Sequence, residues 1–178
     1  MRNQAFRSHS QMVLLAISIL FFGLSSPSYG AESDFLRMVD SLTSKTIPFI
    51  QPGQLDKLIK DKTPFHLLDA REPNEFAVSH IQGSVNIGYD NLDEKQLYAL
   101  PKNETIVVYC SLGARSEKVG EKLKKKGYQK LYNLDGGIFN WVNLGYPVVD
   151  GNGNVTQKIH AYSKRWGKWL TRGEKIYE

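Results

Sequence analysis

The run Thr105-Ile106-Val107-Val108-Tyr109, followed at once by Cys110-Ser111-Leu112-Gly113-Ala114-Arg115-Ser116, constrains this chain more than any other stretch. A continuous β-branched, apolar run of this length suits a central parallel strand covered on both faces. Ser116 to Lys126, ended by Gly127, reads as a helix. A buried strand, a tight loop and a helix make the unit of an open α/β sheet. Sites in such sheets form beyond the carboxyl ends of the strands, where Cys110 lies.

The flanking sequence alternates in the same manner. Strands are predicted at Ile47–Ile50 (an edge strand, given Pro48), Phe65–Leu68, Val85–Ile87 and Leu131–Leu134. Helices are predicted at Gly53–Lys60, from Pro73 to about Ser79, at Asp93–Leu100, and from Gly136-Gly137 through Trp141. The fold class expected is α/β: an open, five-stranded, mostly parallel sheet with helices on both faces.

Four segments follow. Residues 1–30 pair Arg2 and Arg7 with the 13-residue apolar run Met12–Leu24 and then small residues, the order of a cleavable export signal cut after Gly30. As a helix that run spans about 20 Å, short of a bilayer's roughly 30 Å hydrocarbon core; an uncleaved anchor is the alternative. The protein is therefore expected to be exported, periplasmic or secreted. Residues 31–45 form an N-terminal extension in which Phe35, Met38, Val39 and Leu42 share a helical face. Residues 46–150 carry the α/β unit. Residues 151–178 form a basic aromatic tail whose Ile159, Tyr162, Trp166, Trp169 and Leu170 fit one face of a C-terminal helix docked on the domain, or a membrane-surface or protein contact.

Charge excludes one class of partner. The chain carries a formal +5, but residues 151–178 hold six Lys or Arg against two Glu, and residues 31–150 come to −1. That body is not a nucleic-acid binder by charge. Its single cysteine cannot form an internal disulfide, and the four scattered histidines show no metal-ligand spacing, so neither a metal nor another cofactor is expected. A monomer is expected.

The loop carries the chemistry. A turn between strand and helix points successive N–H groups inward, the helix adds its positive dipole end, and Arg115 adds a permanent cation. Each favours a thiolate at Cys110 over the thiol. The candidate site is thus Cys110 as nucleophile, with Ser111, Leu112, Gly113, Ala114 and Arg115 as the anion cradle. A Cys-x5-Arg ring is wide enough for a tetrahedral phosphoryl group; Cys-x4-Arg here is one residue shorter and better suits one extra sulfur atom on the cysteine. Sulfur transfer, a binding or sulfur-carrier module, phosphate-ester or arsenate chemistry, and thiol redox with an external resolving thiol all remain open on these residues.

Three ordered blocks resemble the rhodanese-like domain family. They are Leu67-Leu68-Asp69-Ala70-Arg71-Glu72-Pro73-Asn74-Glu75-Phe76 with His80-Ile81-Gln82-Gly83-Ser84-Val85-Asn86-Ile87, then Val107 to Ser116, then Leu134-Asp135-Gly136-Gly137 through Trp141 with Gly145-Tyr146-Pro147-Val148. The resemblance implies transfer of a sulfane sulfur from a small anionic donor such as thiosulfate to a thiol or cyanide acceptor, through a persulfide on Cys110. Asp69 and Arg71 are expected to pair in a structural role, Glu75 to cap its helix or pair with Arg71, and His80 to serve structure, not catalysis.

Overall fold

The computed structural model describes residues 29–177. All but the end of the segment read as an export signal lies outside these residues. Among the described residues, no helix is long and apolar enough to cross a membrane.

The chain runs α1 (Tyr29–Leu42), β1 (Phe49–Ile50), α2 (Pro52–Lys60), β2 (His66–Asp69), α3 (Pro73–Val78), β3 (Val85–Asn86), α4 (Glu94–Tyr98), β4 (Thr105–Tyr109), α5 (Ala114–Lys125), β5 (Lys130–Leu134) and α6 (Gly137–Asn143). It ends in β6 (Val148–Val149), β7 (Val155–Thr156), β8 (Lys158–His160), α7 (Lys164–Gly167) and β9 (Glu174–Ile176). Strands β1-β5-β4-β2-β3 form one five-stranded parallel sheet with β4 at its centre. The α/β expectation holds, with most element ends displaced by one or two residues.

The alternation of side chains along β4 explains the layers. Val107 and Tyr109 face one apolar core with Phe35, Val39, Leu55, Ile138 and Phe139. Ile106 and Val108 face the other, with Leu97, Val119, Leu123 and Leu131. A strand buried on both faces needs apolar residues at every position, which is what its sequence supplies.

The tail differs from the helix its spacing predicts. Residues 151–177 add β7, which pairs antiparallel with β6, the parallel pair β8–β9 and the single turn α7. Tyr162 takes a left-handed φ of 61°, and Gly173 a φ of 84°, either of which ends a continuous helix. The apolar residues still pack as a set: Ile159, Ala161 and Leu170 are buried in the same core as Phe35 and Ile138. The tail is thus fixed on the face of the sheet that carries α1 and α6.

Candidate active site

Strand β4 delivers Cys110 to the carboxyl edge of the sheet, and α5 begins four residues later. Gly113 makes this short turn possible. It caps α5 with a φ of 110°, a conformation side chains disfavour. A Cβ there would meet Asn133 Nδ2 at 3.6 Å, an ordinary contact, so Gly113→Ala should suffer backbone strain alone. We expect a loss of about 1–2 kcal/mol in denaturant unfolding.

The loop rests on α6. The amides of Ile138 and Phe139 donate to the carbonyls of Cys110 (2.9 Å) and Ser111 (3.2 Å). The Asn133 side chain donates to Gly113 O (2.9 Å) and accepts from Ser116 Oγ (2.7 Å). With its carbonyls tied down behind, the loop turns its N–H groups the other way. Gly113 N–H donates to Cys110 Sγ at 3.1 Å, and Ser116 Oγ lies 3.5 Å from the same sulfur. Among the described residues, the amides of Ser111, Leu112, Ala114 and Arg115 have no protein acceptor. Two of these, from Ala114 and Arg115, are the first N–H groups of α5, which a helix cannot satisfy internally; four such donors together at one turn can take an anion.

Arg115 is held by a residue that spacing alone does not reveal. Its Nη1 and Nη2 donate to the Glu75 carboxylate at 2.6 and 2.8 Å, and Nη2 also reaches Ser111 Oγ at 3.1 Å. Glu75 caps α3 as expected, accepting from the Glu72 amide at 3.0 Å, but its ion pair is with Arg115 and not with Arg71. Burial pushes the Glu75 carboxyl up; the hydrogen bonds and charge of Arg115, helped by the Glu72 amide and the Arg71 charge, outweigh this and hold it below the usual range. Burial likewise works against the Arg115 charge, and the negative groups around it more than compensate.

Asp69 and Arg71 have the structural role expected. Arg71 Nε and Nη2 grip the Asp69 carboxylate at 2.7–3.1 Å, and Nη2 donates to Ser79 O at 2.6 Å. Both residues are fully buried, and the pair braces α3, from which Glu75 reaches the loop. His80 stacks on Phe76 at 3.8 Å and stays with α3.

Cys110 is only 2% exposed, yet it forms the floor of a cavity of about 190 Å³. Ser111, Leu112, Ala114 and Arg115 line the cavity beside it. Its outer wall comes from elsewhere: Leu42 of α1, and Tyr162 and Trp166 of the tail. Tyr162 lies over the Arg115 guanidinium, 5.1 Å from ring centroid to carbon. The tail, expected as a helix docked on the domain or as a contact surface, supplies a wall of the site.

His160 anchors that wall. Its Nδ1 accepts from the Tyr162 amide at 3.2 Å and lies 3.8 Å from Glu75 Oε1. Burial lowers its basicity; the Glu75 charge opposes this, while Arg71 and Arg115 reinforce it. The folded chain therefore binds a proton at His160 less readily than the unfolded chain, whose imidazole titrates near 6.5. That contribution to stability is complete above 6.5 and is lost as pH falls from there through the lowered folded value. Thermal melts between roughly pH 7 and 5 should show a falling midpoint, and His160→Gln should flatten that limb. An unchanged slope in the variant would refute the assignment.

Comparison with known proteins agrees with this geometry. The profile of the rhodanese-like domain matches residues 51–144, more than half of the chain. A sulfurtransferase from Allochromatium vinosum is 32% identical over 104 residues, covering 58% of this chain and 96% of that protein. A tRNA uridine(34) hydroxylase from Pelagibacter ubique is 37% identical over 120 residues, covering 65% of this chain; the chain spans only 40% of that protein's length. The crystal structure of a rhodanese-related protein from Thermoplasma volcanium superposes with a TM-score of 0.51 at 34% identity, covering 57% of this chain and 97% of that one. The parallel sheet, the loop at the end of its central strand and the profile match over residues 51–144 together place this chain in the rhodanese-like domain family.

Proposed function

We propose that the protein is a sulfurtransferase working through a persulfide on Cys110. The observation that carries this reading is the turn itself: one amide on Sγ at 3.1 Å, and four more without protein acceptors around the floor of the cavity. The Cys110 thiolate attacks the outer sulfur of a donor such as thiosulfate. The donor's S–S bond breaks, sulfite leaves with the electron pair, and Cys110 carries a terminal sulfur bearing the negative charge. Amides fixed before the reaction stabilise that charge without reorganising. Cyanide or a thiol then takes the terminal sulfur, and the thiolate returns.

Such a two-step cycle is ping-pong covalent catalysis. With thiosulfate and cyanide, purified protein should form thiocyanate, and double-reciprocal plots at several fixed acceptor concentrations should be parallel. Intersecting lines would reject the covalent intermediate; no thiocyanate from any sulfane donor would reject the reaction. The tRNA-directed reaction of the longer relatives is not part of this proposal, because the chain spans only 40% of such a relative's length and residues 31–150 carry a net −1. Export completes the proposal, carried by the apolar run Met12–Leu24 behind Arg2 and Arg7.

A further inference from the structure

The wall of the cavity points to the kind of donor. The family profile covers residues 51–144, and the loop with Cys110 lies inside it. Leu42, Tyr162 and Trp166 all lie outside it, so the outer wall is made by segments that the shared domain does not supply. That wall is one aliphatic and two aromatic side chains. Each is held from behind: α1 by the buried Phe35 and Val39, Tyr162 by its amide on His160, and α7 between the buried Ala161 and Leu170.

Among the described residues, the one cation lining the cavity is already engaged. Both terminal nitrogens of Arg115 are bound to Glu75, and the Tyr162 ring lies over the guanidinium. A compact inorganic dianion would gain little from a charge so neutralised, and it would leave the aromatic wall in contact with water. An apolar group would cover that wall. The volume suffices: about 190 Å³ exceeds the roughly 150 Å³ apolar cavity that binds benzene in a packed protein.

Resting on the sulfur-transfer reading above, we propose that Leu42, Tyr162 and Trp166 make this site select an organic sulfane-sulfur donor whose non-sulfur part is apolar, in preference to inorganic thiosulfate. With a thiosulfonate, R–SO2–S⁻, the Cys110 thiolate bonds to the terminal sulfur as the S–S bond of the donor breaks. The sulfinate R–SO2⁻ leaves with the electron pair, and charge is conserved at two negatives on each side. With an organic persulfide, R–S–SH, the leaving group is the thiolate, which takes up the proton.

The test compares benzenethiosulfonate with methanethiosulfonate, which undergo the same chemistry with and without a ring, and uses thiosulfate as the third donor. Sulfur loading of Cys110 on the full chain is followed by stopped-time intact mass. The ratio of the two thiosulfonate rate constants is divided by the same ratio measured with free cysteine, which removes intrinsic reactivity. We expect this corrected ratio to be about tenfold or more in favour of the ring, as burial of an aromatic group implies. Trp166→Ala should remove most of it and Trp166→Phe should retain it. A corrected ratio near one, or one that survives Trp166→Ala and Tyr162→Ala alike, overturns the inference and leaves sulfur transfer standing. No loading from any of the three donors overturns the sulfur-transfer reading and the inference with it.

Discussion

Replacement of Gly137 by alanine should cost about 2–5 kcal/mol of unfolding free energy and remove activity with it. Two costs combine. Gly137 has a φ of 58°, where a side chain meets the following carbonyl, worth about 1–2 kcal/mol. Its Cβ would also lie 2.7 Å from Ser111 O and closer still to Cys110 O. Those atoms are backbone and cannot rotate away, so the loop must lift off α6, an overpacking cost of about 1–3 kcal/mol. Lifting breaks the bonds from Ile138 and Phe139 that aim the loop's amides outward. Gly113→Ala is the internal comparison, because it has a similar backbone penalty without the collision. Urea denaturation of the two variants separates the terms. Equal losses would mean that the contact between α6 and the loop is not what limits space at Gly137.

Cys110→Ser should lower sulfur transfer by roughly a thousandfold or more while leaving the fold intact. The hydroxyl fills nearly the same volume and can accept from Gly113 N–H in place of the sulfur. Its oxygen is not ionised at neutral pH, and among the described residues no histidine lines the cavity to ionise it. The surrounding amides and the cavity wall remain, so donor binding should survive. A variant that binds donor and unfolds at the wild-type midpoint, yet forms no thiocyanate, isolates the thiolate as the reacting group. Retention of a tenth or more of wild-type turnover would contradict the covalent mechanism.

The part of the site that sequence reveals is the part contiguous in sequence. Ile106–Tyr109 is apolar at each position because both faces of β4 are covered, and the four residues after it, Cys110–Gly113, form one local turn ahead of α5. A pattern read in a short window captures both. Glu75, Asn133, Leu42, Tyr162 and Trp166 reach the loop only through the folded chain, 23 to 68 residues from Cys110 in sequence, and no local window joins them to it. Glu75 left a partial trace, as the acid three residues after Glu72 in a capping pattern with Pro73.

The tail shows the converse error. Spacings of four, three and one residues between Tyr162, Trp166, Trp169 and Leu170 satisfy a helical period over a short span, and they also suit a turn folded against an apolar face. Gly151, Gly153, Gly167 and Gly173 were the contrary signal. Gly167 admits the Tyr177 hydroxyl and the Ala161 methyl at close range, and Gly173 turns the chain back into β9. Four glycines in so short a segment argue for turns, and the structure has turns there.

The account rests on a loop that makes negative charge on a sulfur beyond Cys110 Sγ favourable. Intact-mass analysis of the purified chain after incubation with a sulfane-sulfur donor tests this most directly. One added sulfur should appear, map to the peptide bearing Cys110, vanish on addition of cyanide, and be absent from Cys110→Ser. An unchanged mass with every donor tried, or the same added sulfur in the serine variant, would contradict the claim.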